Sequence, residues 1–278
     1  MKLPPHAMAA ATVLHTQRGR AKLPLSRSEK YSSAGASPSL YRSDNPCREK
    51  RMTNRGKGRF LLSVDMGKSQ RAAEQFVKRL TRNKIRATWG CTDLSHDFVT
   101  DLVENDQDVA LLVRESGDRS WLADLLTRQV QVAHEMDVQL AAVADTGSVM
   151  AEHLDLLVRH RINVIRVSKQ SADSLAAMNR FGISIAQPTL VMGDGSFTTN
   201  RWTVRRSVKK AVFNSGTLHV HLDLQQMGDT PVAKNFNHVL DAVEKQLENG
   251  FLKNETLSDL SKIITAKRTA SRSILRAA

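Results

Sequence analysis

Two cysteines, Cys47 and Cys91, are all that 278 residues contain. That is too few for a disulfide framework, and the spacing fits no metal module, so a reducing compartment and a cytoplasmic location are the default. No apolar run approaches the roughly 18 residues of a membrane span, and no membrane role is expected. Only Ala7-Met-Ala-Ala-Ala-Thr-Val-Leu14 resembles a signal-peptide apolar region; it is short, follows Pro4-Pro5-His6 and lacks a cleavage site. Aromatics make up only 5% of the chain. Glycine is sparse where nucleotide sites need it: Met66-Gly67-Lys68-Ser69 ends like a phosphate loop, but Leu62 stands in place of the first glycine, and no dinucleotide fingerprint occurs. Proline is absent from Phe60 to Gln187, so nothing there interrupts regular structure.

The charge that is present is uneven. Residues 1–59 hold 13 Lys and Arg against Glu29, Asp44 and Glu49, a net of +10, and residues 266–278 add +4 without an acid. The remainder of the chain is close to −1, so the excess belongs to the ends and argues poorly for a basic face on the folded part. Nucleic-acid association would have to run through these tails. Residues 1–59 read as a disordered basic tail, rich in Ser, Pro, Arg and Lys and lacking apolar periodicity. Met52, eight residues before the first strand, is an alternative start of translation. Residues 266–278 form a basic C-terminal tail.

Between them, residues 60–265 alternate apolar strands with helical patterns. Phe60–Asp65, Ile85–Trp89, Asp108–Val113, Val138–Val143, Ile162–Val167, Ile183–Ala186 and Thr217–Leu224 read as strands. Ala72, Ala73, Phe76, Val77 and Leu80 mark the first amphipathic helix; others fall near Phe98–Val103, Trp121–Met136, Met150–Val158, Leu175–Met178, Val232–Leu247 and Thr256–Ile264. Pro188, Gly193-Asp194-Gly195 and Asn200 mark a turn-rich stretch. About seven strands separated by helices close into a barrel or open into a doubly wound sheet, and ligands then gather at the carboxyl ends of the strands, where Asp65 stands.

Phe60-Leu-Leu-Ser-Val-Asp65, the helix to Leu80 and Asn83-Lys-Ile-Arg-Ala-Thr-Trp89 together resemble the opening of the polysaccharide deacetylase (NodB-homology) family. Asp108-Val-Ala-Leu-Leu112 looks like its third-strand segment, Leu218-His-Val-His221 like its late histidine strand, and Gly250 with Glu255-Thr256-Leu257 like its closing helix. The resemblance implies a distorted (β/α)7-type barrel over 60–265 and, in typical members, metal-dependent hydrolysis of acetyl groups on glycans. It implies Asp65 as the catalytic base and His221, or its same-face neighbour His219, as the late-strand histidine. The family's metal ligands are missing. Met66 stands at the metal aspartate, Leu112 and Ser116 at the metal histidines, and Ala142-Val-Ala-Asp145-Thr-Gly147 replaces an Arg-Pro-Pro motif.

These departures lead to a catalytically degenerate barrel that binds a carbohydrate, another small molecule or a protein partner, with no cofactor. A divalent metal would need a non-family site assembled from Asp65, Asp93, His96, Glu115, His219, His221 and Asp223, since alternation sends His219, His221 and Asp223 to one strand face. The plain alternative is that the histidines only hydrogen-bond within a barrel. Asp65 and His221 are the candidate catalytic residues; Asp93, Glu115, His219 and Trp202 are candidate ligand contacts, Trp202 by stacking on a sugar ring. Trp89 and Trp121 lie in apolar periodic patterns and read as core.

Overall fold

The computed structural model describes residues 57–277, apart from 68–69, 115–116, 146–148, 150, 168–177, 179, 193–200 and 227–229, all within one compact unit, Pro46–Ala278. Residues 1–56, Glu115, Ser116, Leu175, Ala176 and the Gly193-Asp194-Gly195 turn lie outside the described residues. Nine strands are present among the described residues: β1 (Gly58–Asp65), β2 (Thr88–Cys91), β3 (Asp108–Val113), β4 (Ala142–Asp145), β5 (Val164–Val167), β6 (Ser184–Ala186), β7 (Leu190–Met192), β8 (Thr217–Asp223) and β9 (Leu252–Glu255). The helices are α1 (Gln70–Arg82), α2 (Asp97–Glu104), α3 (Arg119–Glu135), α4 (Leu154–Arg159), α5 (Arg201–Phe213), α6 (Thr230–Glu248) and α7 (Leu257–Ala277). The last of these carries the chain as helix through the stretch read as a C-terminal tail.

All strand pairs are parallel, in the order β6-β5-β4-β3-β2-β1-β8-β7. The two ends of that row, β6 and β7, are joined by only Gln187-Pro188-Thr189. One stretch of chain therefore pairs first with β5 and then with β8, and the row returns on itself as a seven-position ring. This is the distorted (β/α)7 barrel expected from the sequence. Pro188, which has no N–H, sits where the stretch changes partners. β9 adds to β1 below β2, pairing with Gly58–Leu61 while β2 pairs with Ser63–Asp65.

Alternation along each strand sorts the two faces of the wall. Phe60, Leu62, Val64, Trp89, Leu111, Ile165, Val220 and Leu222 point outward into a core shared with helix residues such as Phe76, Leu80, Phe98, Leu126 and Phe236. Trp89, fully buried, meets Phe76 and Phe98 edge-on with ring centroids 5.9 and 5.8 Å away. The inner face carries small residues lower down: Leu61, Ala110, Ala142, Val164 and Ala186 form a second cluster, which Leu257, Leu260 and Ile264 of α7 close from below.

Two strands begin three or four residues later than the sequence reading has them, and β7 and β9 are absent from that reading. Ile85 and Ala87 are buried but precede β2, because side chains occupy their backbone: Ala87 N–H donates to Gln107 Oε1 (3.0 Å), and Asn254 both accepts from Arg86 N–H (2.6 Å) and donates to its carbonyl (3.0 Å). β4 begins at Ala142 rather than Val138, whose N–H closes α3 by donating to the Ala133 carbonyl at 2.8 Å.

Candidate functional site

The upper part of the barrel interior is polar, and three strands build it. β1 places Ser63 and Asp65 inward, and β8 runs beside it in register, Ser63 against His221 and Asp65 against Asp223. From the far wall β5 extends Arg166, 3% exposed, into the centre. Arg166 Nη2 donates to Asp65 Oδ2 at 2.9 Å, and Nη1 lies 2.7 Å from Oδ1, held there by charge with its N–H out of line. A guanidinium has no acceptor, so the 2.7 Å contact between Nη1 and His221 Nδ1 must be donation to the ring. That leaves the ring proton on Nε2, which is 3.6 Å from Asp65 Oδ2. Asp65 and His221 thus share one group, organised by an arginine.

One layer down, the Ser63 hydroxyl sits between two rings, 2.9 Å from His219 Nε2 and 3.4 Å from His221 Nδ1. His219 is 1% exposed. Burial first, and then the charge of Arg166, pushes its pKa down to about 3, so the ring is neutral at pH 7. Its Nδ1 faces the Gln187 carbonyl without hydrogen-bond geometry. Gly90 on β2 makes room for the carboxylate, since a Cβ there would stand 2.7 Å from Asp65 Oδ1. Leu112 and Ala144 line the interior beside it, each with its Cβ 3.4 Å from that same point.

The other sequence candidates lie elsewhere. Asp93 follows β2 and accepts from Ser95 N–H (3.0 Å), Ser95 Oγ (2.9 Å) and Gln129 Nε2 (3.1 Å), bonds that hold its carboxyl below the usual range. Asp223 shares the inward face of β8 but accepts from the Gln225 N–H at 2.9 Å. His96 caps α2 by accepting from Phe98 N–H. Trp202 lies on the first turn of α5, 66% exposed. Cys91 faces the outer core, where burial and the charge of Asp65 push its thiol up to about 12, far from a reactive thiolate.

Arg166 is the residue that sequence reasoning missed. Its signal was a lone charge inside the apolar strand Ile162-Asn-Val-Ile-Arg-Val167: a buried cation needs a counter-ion, and Asp65 ends another apolar strand.

Among the described residues, those around Asp65 do not fit a divalent ion. Among the described residues no three His, Cys, Asp or Glu side chains converge at a metal site. Both Asp65 oxygens and His221 Nδ1 face a fixed guanidinium, whose charge would repel an incoming cation.

No protein-family model matches the chain, and no curated protein matches it in sequence. Among solved structures, a Mycobacterium smegmatis protein assigned to the polysaccharide deacetylases superimposes with a TM-score of 0.54 at 10% identity, covering 77% of this chain and 93% of its own. A family 4 carbohydrate esterase from Streptomyces lividans, in complex with acetate, gives 0.40 at 13% identity over 71% of this chain and 92% of its own. A pseudoenzyme of that esterase family from Bacillus anthracis gives 0.41 at 10% identity over 74% and 66%. The first of these shows a deacetylase-like fold for this chain. No helix among the described residues is long and apolar enough to cross a membrane.

Proposed function

We propose that this deacetylase-like barrel is catalytically degenerate and serves to bind a carbohydrate or a protein partner at the carboxyl ends of its strands. The observation that carries the reading is the buried Arg166–Asp65 pair, with Nη2 2.9 Å from Oδ2 and Nη1 2.7 Å from Oδ1. Metal-assisted acyl hydrolysis needs an ion to polarise the acyl oxygen and a carboxylate free to take a proton from water. Here the carboxylate is neutralised by an organic cation that cannot leave. Leu112, 2% exposed, brings an apolar side chain to the interior where the resemblance would want a histidine.

A hydrolase with a rebuilt ion site would draw on the His219, His221 and Asp223 comb of β8 together with Asp65, Asp93, His96 or Glu115, the last outside the described residues. His219 is instead engaged with Ser63, His221 with Arg166 and Asp223 with the Gln225 backbone.

Purified protein incubated with chitin oligomers or acetylated xylan, with and without added zinc or cobalt, is expected to release no acetate and to retain no stoichiometric metal after dialysis. Acetate release that disappears in Asp65→Asn would refute the proposal.

A further inference from the structure

We infer that α5 and the clefts beside it form a docking surface for a single-stranded nucleic acid. The helix reads Arg-Trp-Thr-Val-Arg-Arg-Ser-Val-Lys-Lys-Ala-Val-Phe. Val204, Val208 and Ala211 are buried against the barrel, while Arg201, Arg205, Arg206, Lys209 and Lys210 are all exposed. No acid interrupts them, and none of the five is in an ion pair among the described residues. They stand in two adjacent rows whose members are one turn apart, Arg201–Arg205–Lys209 and Arg206–Lys210, the second headed by Trp202. Like charges at this spacing each cost a helix roughly 0.2–0.5 kcal/mol, so the stability of the fold gives no reason for the arrangement. The near-zero charge of residues 60–265 had concealed it: the sum is neutral, but this helix is not.

Each row borders a cleft. Arg201, Arg205 and Lys209 face His238, Asp241 and Lys245 of α6 across a cavity of about 420 Å³, where Asp241 is the single acid. On the other side Arg206 and Lys210, with Thr189 and Thr217, line one of about 540 Å³.

Two features select the occupant. Arg201 to Lys210 covers about 13.5 Å of helix, so the five cations follow one another at roughly 3.4 Å on average along the axis, a dense positive track that suits a phosphate backbone. At the head of the second row Trp202 is 66% exposed with the Arg206 guanidinium carbon 5.3 Å from its ring centroid. A cationic track ending in a steadied indole is the pairing that takes a phosphate backbone and stacks an unpaired base. A lipid surface fits less well, because the apolar stripe of α5 is spent on the barrel and cannot insert.

The test uses the full chain and a fluorescein-labelled 12-mer of deoxythymidine, read by anisotropy from 50 to 200 mM NaCl. The basic ends of the chain contribute equally in every variant, so differences report on α5. The triple variant Arg205→Gln, Arg206→Gln, Lys209→Gln is expected to bind at least tenfold more weakly, with the slope of log K against log salt reduced by about 2. Trp202→Ala is expected to lose roughly tenfold with that slope unchanged, and to abolish quenching of indole fluorescence by the oligomer. All these positions are exposed, so circular dichroism should be unaltered. Wild-type affinity and slope in the triple variant overturn the proposal. So does displacement of the oligomer by polygalacturonate, or by phosphatidylglycerol vesicles, at lower charge concentration than unlabelled oligomer requires.

Discussion

Replacing Arg166 by Met would leave the Asp65 carboxylate 6% exposed and without its counter-charge, because the next cationic candidate, His221, is turned so that its neutral ring serves the guanidinium. Breaking a buried pair from one side costs about 3–5 kcal/mol, whereas removing both members is often close to neutral. Arg166→Met and Asp65→Asn are therefore each expected to lose stability of that order in urea denaturation, while the double variant recovers most of it; additive losses would show that the two side chains are not coupled. The carboxylate end of this pair was legible in the sequence, since an aspartate closing an apolar strand invites attention. The arginine end was not. Reading for chemistry favours carboxylates and histidines, and what binds Arg166 to Asp65 is closeness across a barrel between residues 101 apart in sequence.

α7 shows how an element can seal a fold. Thr256 and Asp259 cap its start reciprocally, Thr256 N–H donating to Asp259 Oδ2 (3.1 Å) and Asp259 N–H to Thr256 Oγ1 (3.2 Å). Asp108 at the start of β3 accepts from Ser258 N–H (3.1 Å) and Ser258 Oγ (2.6 Å), tying that capped end to the barrel floor. Leu257, 1% exposed, then enters the lower interior. Leu257→Ala is expected to cost about 2–4 kcal/mol and Thr256→Ala about 1 kcal/mol, both read from chemical denaturation. Regular apolar periodicity made α1 and α3 visible in advance. α5 escaped notice because its buried stripe is narrow, only Val204, Val208 and Ala211, and lies amid arginines and lysines. β9 escaped because four residues, Leu-Lys-Asn-Glu, are too few for alternation to register.

For the molecule as a whole, His219 makes one contribution to acid sensitivity. Its folded pKa, about 3, lies below the ordinary value of 6.5, so the unfolded chain binds a proton that the folded one refuses. The contribution of His219 to stability is present in full above pH 6.5 and is lost progressively from there toward pH 3, about 2 kcal/mol of it by pH 5. Denaturation midpoints measured from pH 7.5 to 5 should decline accordingly, and His219→Gln should flatten the decline. The barrel rhythm from β1 to β6 could be read directly, as strands and helices followed one another without proline. Its closure could not, because nothing local announces that three residues around Pro188 transfer one extended stretch from β5 to β8. The register of β1 carries a last consequence. Its full-length neighbour β8 and its lower neighbour β9 lie some 160 to 190 residues downstream, so as the chain grows from its N-terminus β1 stays unpaired on that side until those residues have followed. Nascent chains therefore expose an unpaired apolar edge until β8 has been made, and pairing across so long a separation is a slow event that favours chaperone custody.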